Sequence, residues 1–113
     1  MVTQNKTDQL RLRAGIGLLA DRKGVPVSEI ASRPLAKIEA DIRAARVTTW
    51  DIAREVVISR NMHRLYERFN IPPTMLVNEA IEEGYLERTD ALSCYAVMPN
   101  EIEAVIKEYQ WVA

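Results

Sequence analysis

The sequence predicts a mainly α-helical compact domain that carries one short β-hairpin, and three observations predict it. Apolar residues recur at spacings of three and four along most of the chain, prolines punctuate those stretches, and one segment, Tyr85 to Met98, breaks the pattern. With 113 residues, 48% of them hydrophobic, the chain has the size of a single domain, 1–113, and the apolar material for one core. No repeat, low-complexity tract or linker rich in Gly, Ser or Pro divides it.

The elements follow in order. Thr7 is placed to cap a first helix running to about Arg22, with Leu10, Ile16, Leu19 and Ala20 on one side. Gly15 and Gly17 inside it suit close helix packing; their Gly-Ile-Gly lacks the third glycine and the preceding strand of a dinucleotide fingerprint. Gly24 and Pro26 interrupt, Ser28 starts a short helical turn, and Pro34 fits the first turn of a longer helix. There Leu35, Ile38, Ile42 and Ala45 recur at helical spacing while Lys37, Glu39, Asp41, Arg43 and Arg46 face away.

Thr48 with Asp51 has the form of a capping box and opens a helix carrying Trp50, Ile52, Ala53 and Val56. Ser59 is expected to cap the next. In it Met62, Leu65, Tyr66 and Phe69 form the sharpest apolar stripe in the chain, with Arg60, Asn61, His63, Arg64, Glu67 and Arg68 opposite. Pro72 and Pro73 break that helix and start another through Leu76, Val77, Ala80 and Ile81, which Gly84 ends in a left-handed conformation. Leu86, Thr89, Tyr95 and Val97 around an Asp90-Ala91 turn predict the β-hairpin, 85–98. After Pro99, Asn100 and Glu103 are expected to box a last helix that buries Ile102, Val105, Ile106 and Tyr109.

Charge divides the chain. The basic half, 1–64, holds 12 of the 15 Lys and Arg against 7 of the 16 Asp and Glu, a balance of +5; the acidic half, 65–113, holds 3 against 9, a balance of −6. A basic half is suited to phosphates, and an acidic half to another partner or to the basic half itself. The longest apolar runs, such as Val56-Val57-Ile58, fall far short of the roughly 20 residues of a membrane span. The polar start, Met1 to Thr7, lacks the pattern of a secretory signal, which with the single cysteine, Cys94, predicts a reducing, cytoplasmic setting. One cysteine forms neither an internal disulfide nor a multi-cysteine zinc site, and Cys94 reads as a small apolar residue.

The stretch Thr48 to Phe69, TTWDIAREVVISRNMHRLYERF, resembles the helix-turn-helix of bacterial, phage and plasmid regulators. Ile52-Ala53 matches the pair in the first helix, Val56 to Ser59 the turn, and Arg60 to Phe69 the recognition helix; Val57 stands where a turn glycine is common. The resemblance implies a sequence-specific, dimeric regulator of transcription. Arg60 would reach guanine, Asn61 adenine and Arg64 a base or a phosphate, Ser59 would cap the helix and bond a phosphate, Arg54 would meet the backbone, and His63 and Arg68 would lie on the same surface. A second register, Asn61 to Arg88, resembles the winged helix, with the turn at Ile71 to Pro73, a recognition helix at Thr74 to Glu83 and a wing at 85–98. Its reading helix carries Glu79, Glu82 and Glu83 and no Lys or Arg. The DNA reading requires the guanidinium groups after Ser59 to project outward together; carboxylates of the later segment that neutralised them would defeat it.

Nothing in the sequence predicts an enzyme, a cofactor or a metal: one His, one Cys and scattered carboxylates offer no nucleophile, acid-base pair or ligand set. The expected partners are double-stranded DNA and a second copy of the chain. The alternative is a non-enzymatic interaction module, such as an adaptor, anti-repressor or assembly factor, working through the acidic half and Trp111.

Overall fold

The computed structural model describes residues 6–111, with side-chain surroundings from residue 9 on. Seven helices lie along them: α1 (Lys6–Lys23), α2 (Val27–Ala31), α3 (Leu35–Ala44), α4 (Thr49–Arg68), α5 (Val77–Glu82), α6 (Arg88–Ser93) and α7 (Pro99–Tyr109). No strand occurs among the described residues. The fold is elongated, 46 × 32 × 24 Å, and α4, 20 residues and so about 30 Å long, is its spine. It packs against α1, α6 and α7, while α2 and α3 pack on α1.

The mainly α expectation holds and the β-hairpin does not. In place of a wing, residues 88–93 form α6, opened by Asp90 Oδ2 accepting from the Glu87 backbone N–H at 3.0 Å. Ala91 within it and Cys94 just past its end, three apart, are buried, a helical spacing that outweighs the loose alternation read as strand. An isolated two-stranded hairpin is also only marginally stable without a sheet to join.

The helix-turn-helix expected at 48–69 is replaced by the single helix α4. The box at its start is as expected: Asp51 N–H donates to Thr48 Oγ1 at 3.1 Å, and Thr48 N–H to Asp51 Oδ2 at 3.0 Å. No turn follows. The run read as the turn, Val56-Val57-Ile58, is buried throughout. Three consecutive residues at about 100° each reach around much of a helix, so burying all three requires neighbours on several sides, which α1 and α7 help to supply. Thr48 to Phe69 contains neither Gly nor Pro to break it. Ser59, expected as a cap, lies exposed inside the helix. The second register fares little better, because α5 begins only at Val77 and spans six residues.

Two smaller expectations change. α1 includes Thr7, so its start is not at that residue, and the Thr7 side chain lies outside the described residues. α7 is capped by Glu101 Oε2 accepting from Met98 N–H at 2.8 Å, not by Asn100 and Glu103.

Five helix ends share one design. Gly24, Arg46, Asn70, Gly84 and Gln110 all have φ between +54° and +82°. The next residue's N–H then reaches back to a carbonyl five residues earlier: Val25 to Ala20, Val47 to Ile42, Ile71 to Tyr66, Tyr85 to Ala80 and Trp111 to Ile106, at 2.9–3.2 Å. This is the Schellman closure, in which an apolar residue just past the end folds back on the helix. Val25, Val47, Ile71 and Trp111 each enter a core cluster this way.

There are three such clusters where one core was expected. The first joins Ile52, Ala53, Val56 and Val57 of α4 to Ile102 and Val105 of α7 and to Trp111. The second holds Leu19, Ala20, Ile30 and Ile38 of α1, α2 and α3. The third holds Ile71, Ala80, Leu86 and Ala91, with Leu65, Tyr66 and Phe69 packed on it. Gly15 lets α1 approach: a Cβ there would stand 2.9 Å from Ile42 Cδ1.

Candidate functional site

α4 carries all seven residues expected to touch DNA, and its continuity distributes them around one cylinder. Arg60 turns toward α7. Its Nη2 lies 2.6 Å from Glu108 Oε2 and donates to Tyr109 Oη at 2.6 Å, and the guanidinium stands over the Tyr109 ring. The hydrogen bond from Arg60 holds the Glu108 carboxyl below its usual range, and the same bond pushes the Arg60 guanidinium up. This is neutralisation by a carboxylate of the acidic half.

Two more of the seven bind the C-terminal end of α6. Arg54 Nη2 donates to the Tyr95 carbonyl at 3.2 Å, and Asn61 Nδ2 to the Cys94 carbonyl at 3.1 Å. Helix C-terminal carbonyls lack intrahelical partners, and donors from α4 supply them. His63 pairs with Glu67 on its own helix, Nε2 to Oε1 at 3.0 Å. Arg64 and Arg68 are exposed and, among the described residues, have no ion-pair partner; the Arg68 guanidinium lies over Phe69. Trp111 is buried in the first cluster, stacked on Tyr109 with ring centroids 5.0 Å apart, rather than offered to a partner. Cys94 is buried too, and burial pushes its thiol up, with Asp90 adding to the effect.

Along the same half-helix, with Ser59 and His63 of the seven in its lining, lies a groove of about 360 Å³ that sequence reasoning missed. Met62 and Tyr66 of α4 form one wall, Ile71 and Pro73 the end, and Met75, Leu76 and Val77 the other wall. Tyr66 Oη donates to the Met75 carbonyl at 2.6 Å, which fixes the connecting segment against the helix. Leu76 is 65% exposed beside the groove, a large apolar side chain without a covering neighbour. The groove's charged lining is the His63–Glu67 pair. The Tyr66 hydroxyl is pushed up first by burial and then by the charge of Glu79. The signal for the groove was present only as an irregularity, since Met75 and Leu76 precede a helix whose inward positions are Ala80 and Ile81.

Of the eight large hydrophobic residues exposed among the described residues, five fall between 76 and 98: Leu76, Tyr85, Leu92, Tyr95 and Met98. This is the acidic half.

Among the described residues no helix is long and apolar enough to cross a membrane, and no group of three or more His, Cys, Asp or Glu could hold a metal ion. No family model, curated protein or solved structure matches the chain.

Proposed function

We propose that the protein is a non-enzymatic interaction module whose α4–α5 groove receives a basic amphipathic helix of a partner protein. One observation carries this reading: an apolar groove with an exposed leucine at its edge and one carboxylate, Glu67, on its rim beside His63. Helix-in-groove recognition uses apolar anchors at helical spacing, and methionines such as Met62 and Met75 adapt to the shape of such anchors. The rim charge selects a cationic partner and speeds encounter.

Arg60, Asn61 and Arg54 support this reading over DNA contact, because their donors already serve the acidic half. Taking Arg60 to a phosphate would expose Glu108 to the same phosphates.

The test uses a designed amphipathic peptide of leucine and lysine, its leucine–glutamate counterpart, and a mixed-sequence DNA duplex. Expected is binding of the lysine peptide alone, with amide shifts at Met62, Tyr66 and 71–77, weakened by Leu76→Ser and by Glu79→Lys. Equal binding of both peptides would reduce the groove to an unselective apolar patch. A duplex that binds with steep salt dependence while neither peptide does would return the DNA reading and overturn this one.

A further inference from the structure

On the other side of Ser59, α1, α4 and α7 line a second, half-open cavity of about 330 Å³, separate from the α4–α5 groove and independent of the role proposed for it. Leu10, Ala14 and Val56 give it an apolar lining. A Cβ added at Gly17 meets nothing within 4 Å, so the α1 wall is open where a side chain would stand. The volume lies within the usual range of small-molecule sites.

Glu55 is the one carboxylate among the described residues lining this cavity. It is half-buried, burial pushes its pKa up, the nearby charge of Asp21 adds to that push, and Arg54 offsets only part. No hydrogen bond from the described residues holds its carboxylate. The other polar groups are differently placed. Arg60 is already satisfied by Glu108 and Tyr109, and Arg13 is exposed on the rim. The Glu55 oxygens keep access to water, since Trp111 Nε1 is the one side-chain polar atom buried without a partner among the described residues, but a half-buried carboxylate beside an apolar wall gains from a donor, and a cationic donor serves best.

We propose that this cavity binds a small amphipathic amine, with its ammonium on Glu55 and its apolar body against Leu10, Ala14 and Val56. Ser59 is within the same cavity to accept a further hydrogen bond from the ammonium.

The experiment titrates the isotope-labelled protein with phenethylamine and, separately, with 3-phenylpropionate, which has a similar apolar body and the opposite charge. Phenethylamine should shift amides of α1, α4 and α7 around the cavity, and phenylpropionate should not. Glu55→Gln should weaken phenethylamine at least about tenfold, the loss expected of one charge-assisted contact. Gly17→Leu, which fills the opening, should remove binding while the spectrum stays dispersed. Should Gly17→Leu fail to fold, the near-isosteric Glu55→Gln decides alone. Equal binding of the two probes, a preference for phenylpropionate through Arg13, or unchanged affinity in Glu55→Gln would each overturn the proposal.

Discussion

The hydroxyl of Tyr66 and the carbonyl of Met75, nine positions apart, meet at 2.6 Å and close the connection between α4 and α5 into a fixed loop. That one hydrogen bond shapes the wall of the groove. Ile71 anchors the same loop from inside, buried in the third cluster behind the left-handed Asn70.

Tyr66→Phe keeps the ring in its cluster and removes only the donor. The expected loss is about 1 kcal/mol of stability, since the partly buried Met75 carbonyl is left without its partner. Faster amide exchange confined to 70–77, measured on the native protein, checks it. The lysine peptide should bind this variant more weakly, because the wall it meets is no longer held.

Arg60 and Glu108 set a pH dependence whose sign is fixed. Glu108 is held below the ordinary carboxylate value, so its contribution is complete above that value and is lost as pH falls through the lowered one. Both side chains are partly solvated, 37% and 51% exposed, so the coupling is about 1 kcal/mol or less and shrinks with salt. Urea unfolding of the wild type, Arg60→Ala, Glu108→Gln and the double variant, at neutral and at acid pH, measures it; the coupling should vanish in acid.

The shared helix ends predict opposite outcomes for similar exchanges. Arg46 sits at φ 56°, where a side chain is strained, so Arg46→Gly should stabilise by up to about 1 kcal/mol. Gly84, at φ 82°, has open space around it, so Gly84→Ala meets no clash and loses about 1 kcal/mol through backbone strain alone. Thermal or urea unfolding of the two variants checks the pair, and a destabilised Arg46→Gly would show that the arginine side chain contributes more than its backbone costs.

Trp111 is buried with its indole Nε1 lacking any hydrogen-bond partner. Trp111→Phe removes that unsatisfied group along with some packing, two opposing effects of about 1–3 kcal/mol, and should change stability little. Trp111→Ala keeps neither and should cost about 3–5 kcal/mol. Denaturant midpoints for the two variants separate them.

Local chemistry was legible in the sequence. The Thr48–Asp51 box, the left-handed Gly84, the inward Leu65, Tyr66 and Phe69, and the inward Ile102 and Val105 all rest on hydrogen bonds or spacings within a few residues, and each stands as read; Met62, expected on the same stripe, lines the groove instead. What misled was length and context. Val56-Val57-Ile58 resembles a turn because helix-turn-helix turns are apolar, but apolar residues are equally what a helix needs when it is packed on several sides. Only α1 and α7 around it distinguish the two. Residues 85–98 failed for a similar reason, as the backbone bond that opens α6 at Glu87 was hidden beneath side chains that also suit a strand.

Read alone, the chain disclosed the start of α4 at the Thr48–Asp51 box and the end of α5 at Gly84, because a cap and a left-handed closure draw on neighbours in the chain; the continuity of α4 through residues 56–59 and the existence of α6 were not disclosed. The tertiary structure alone decided where the charges point: Arg60 meets Glu108 forty-eight positions away, and no local rule places two such distant residues together. It also decided the groove and the Glu55 cavity, since each is a space between helices brought together by burial of apolar surface, which is non-directional and leaves no motif.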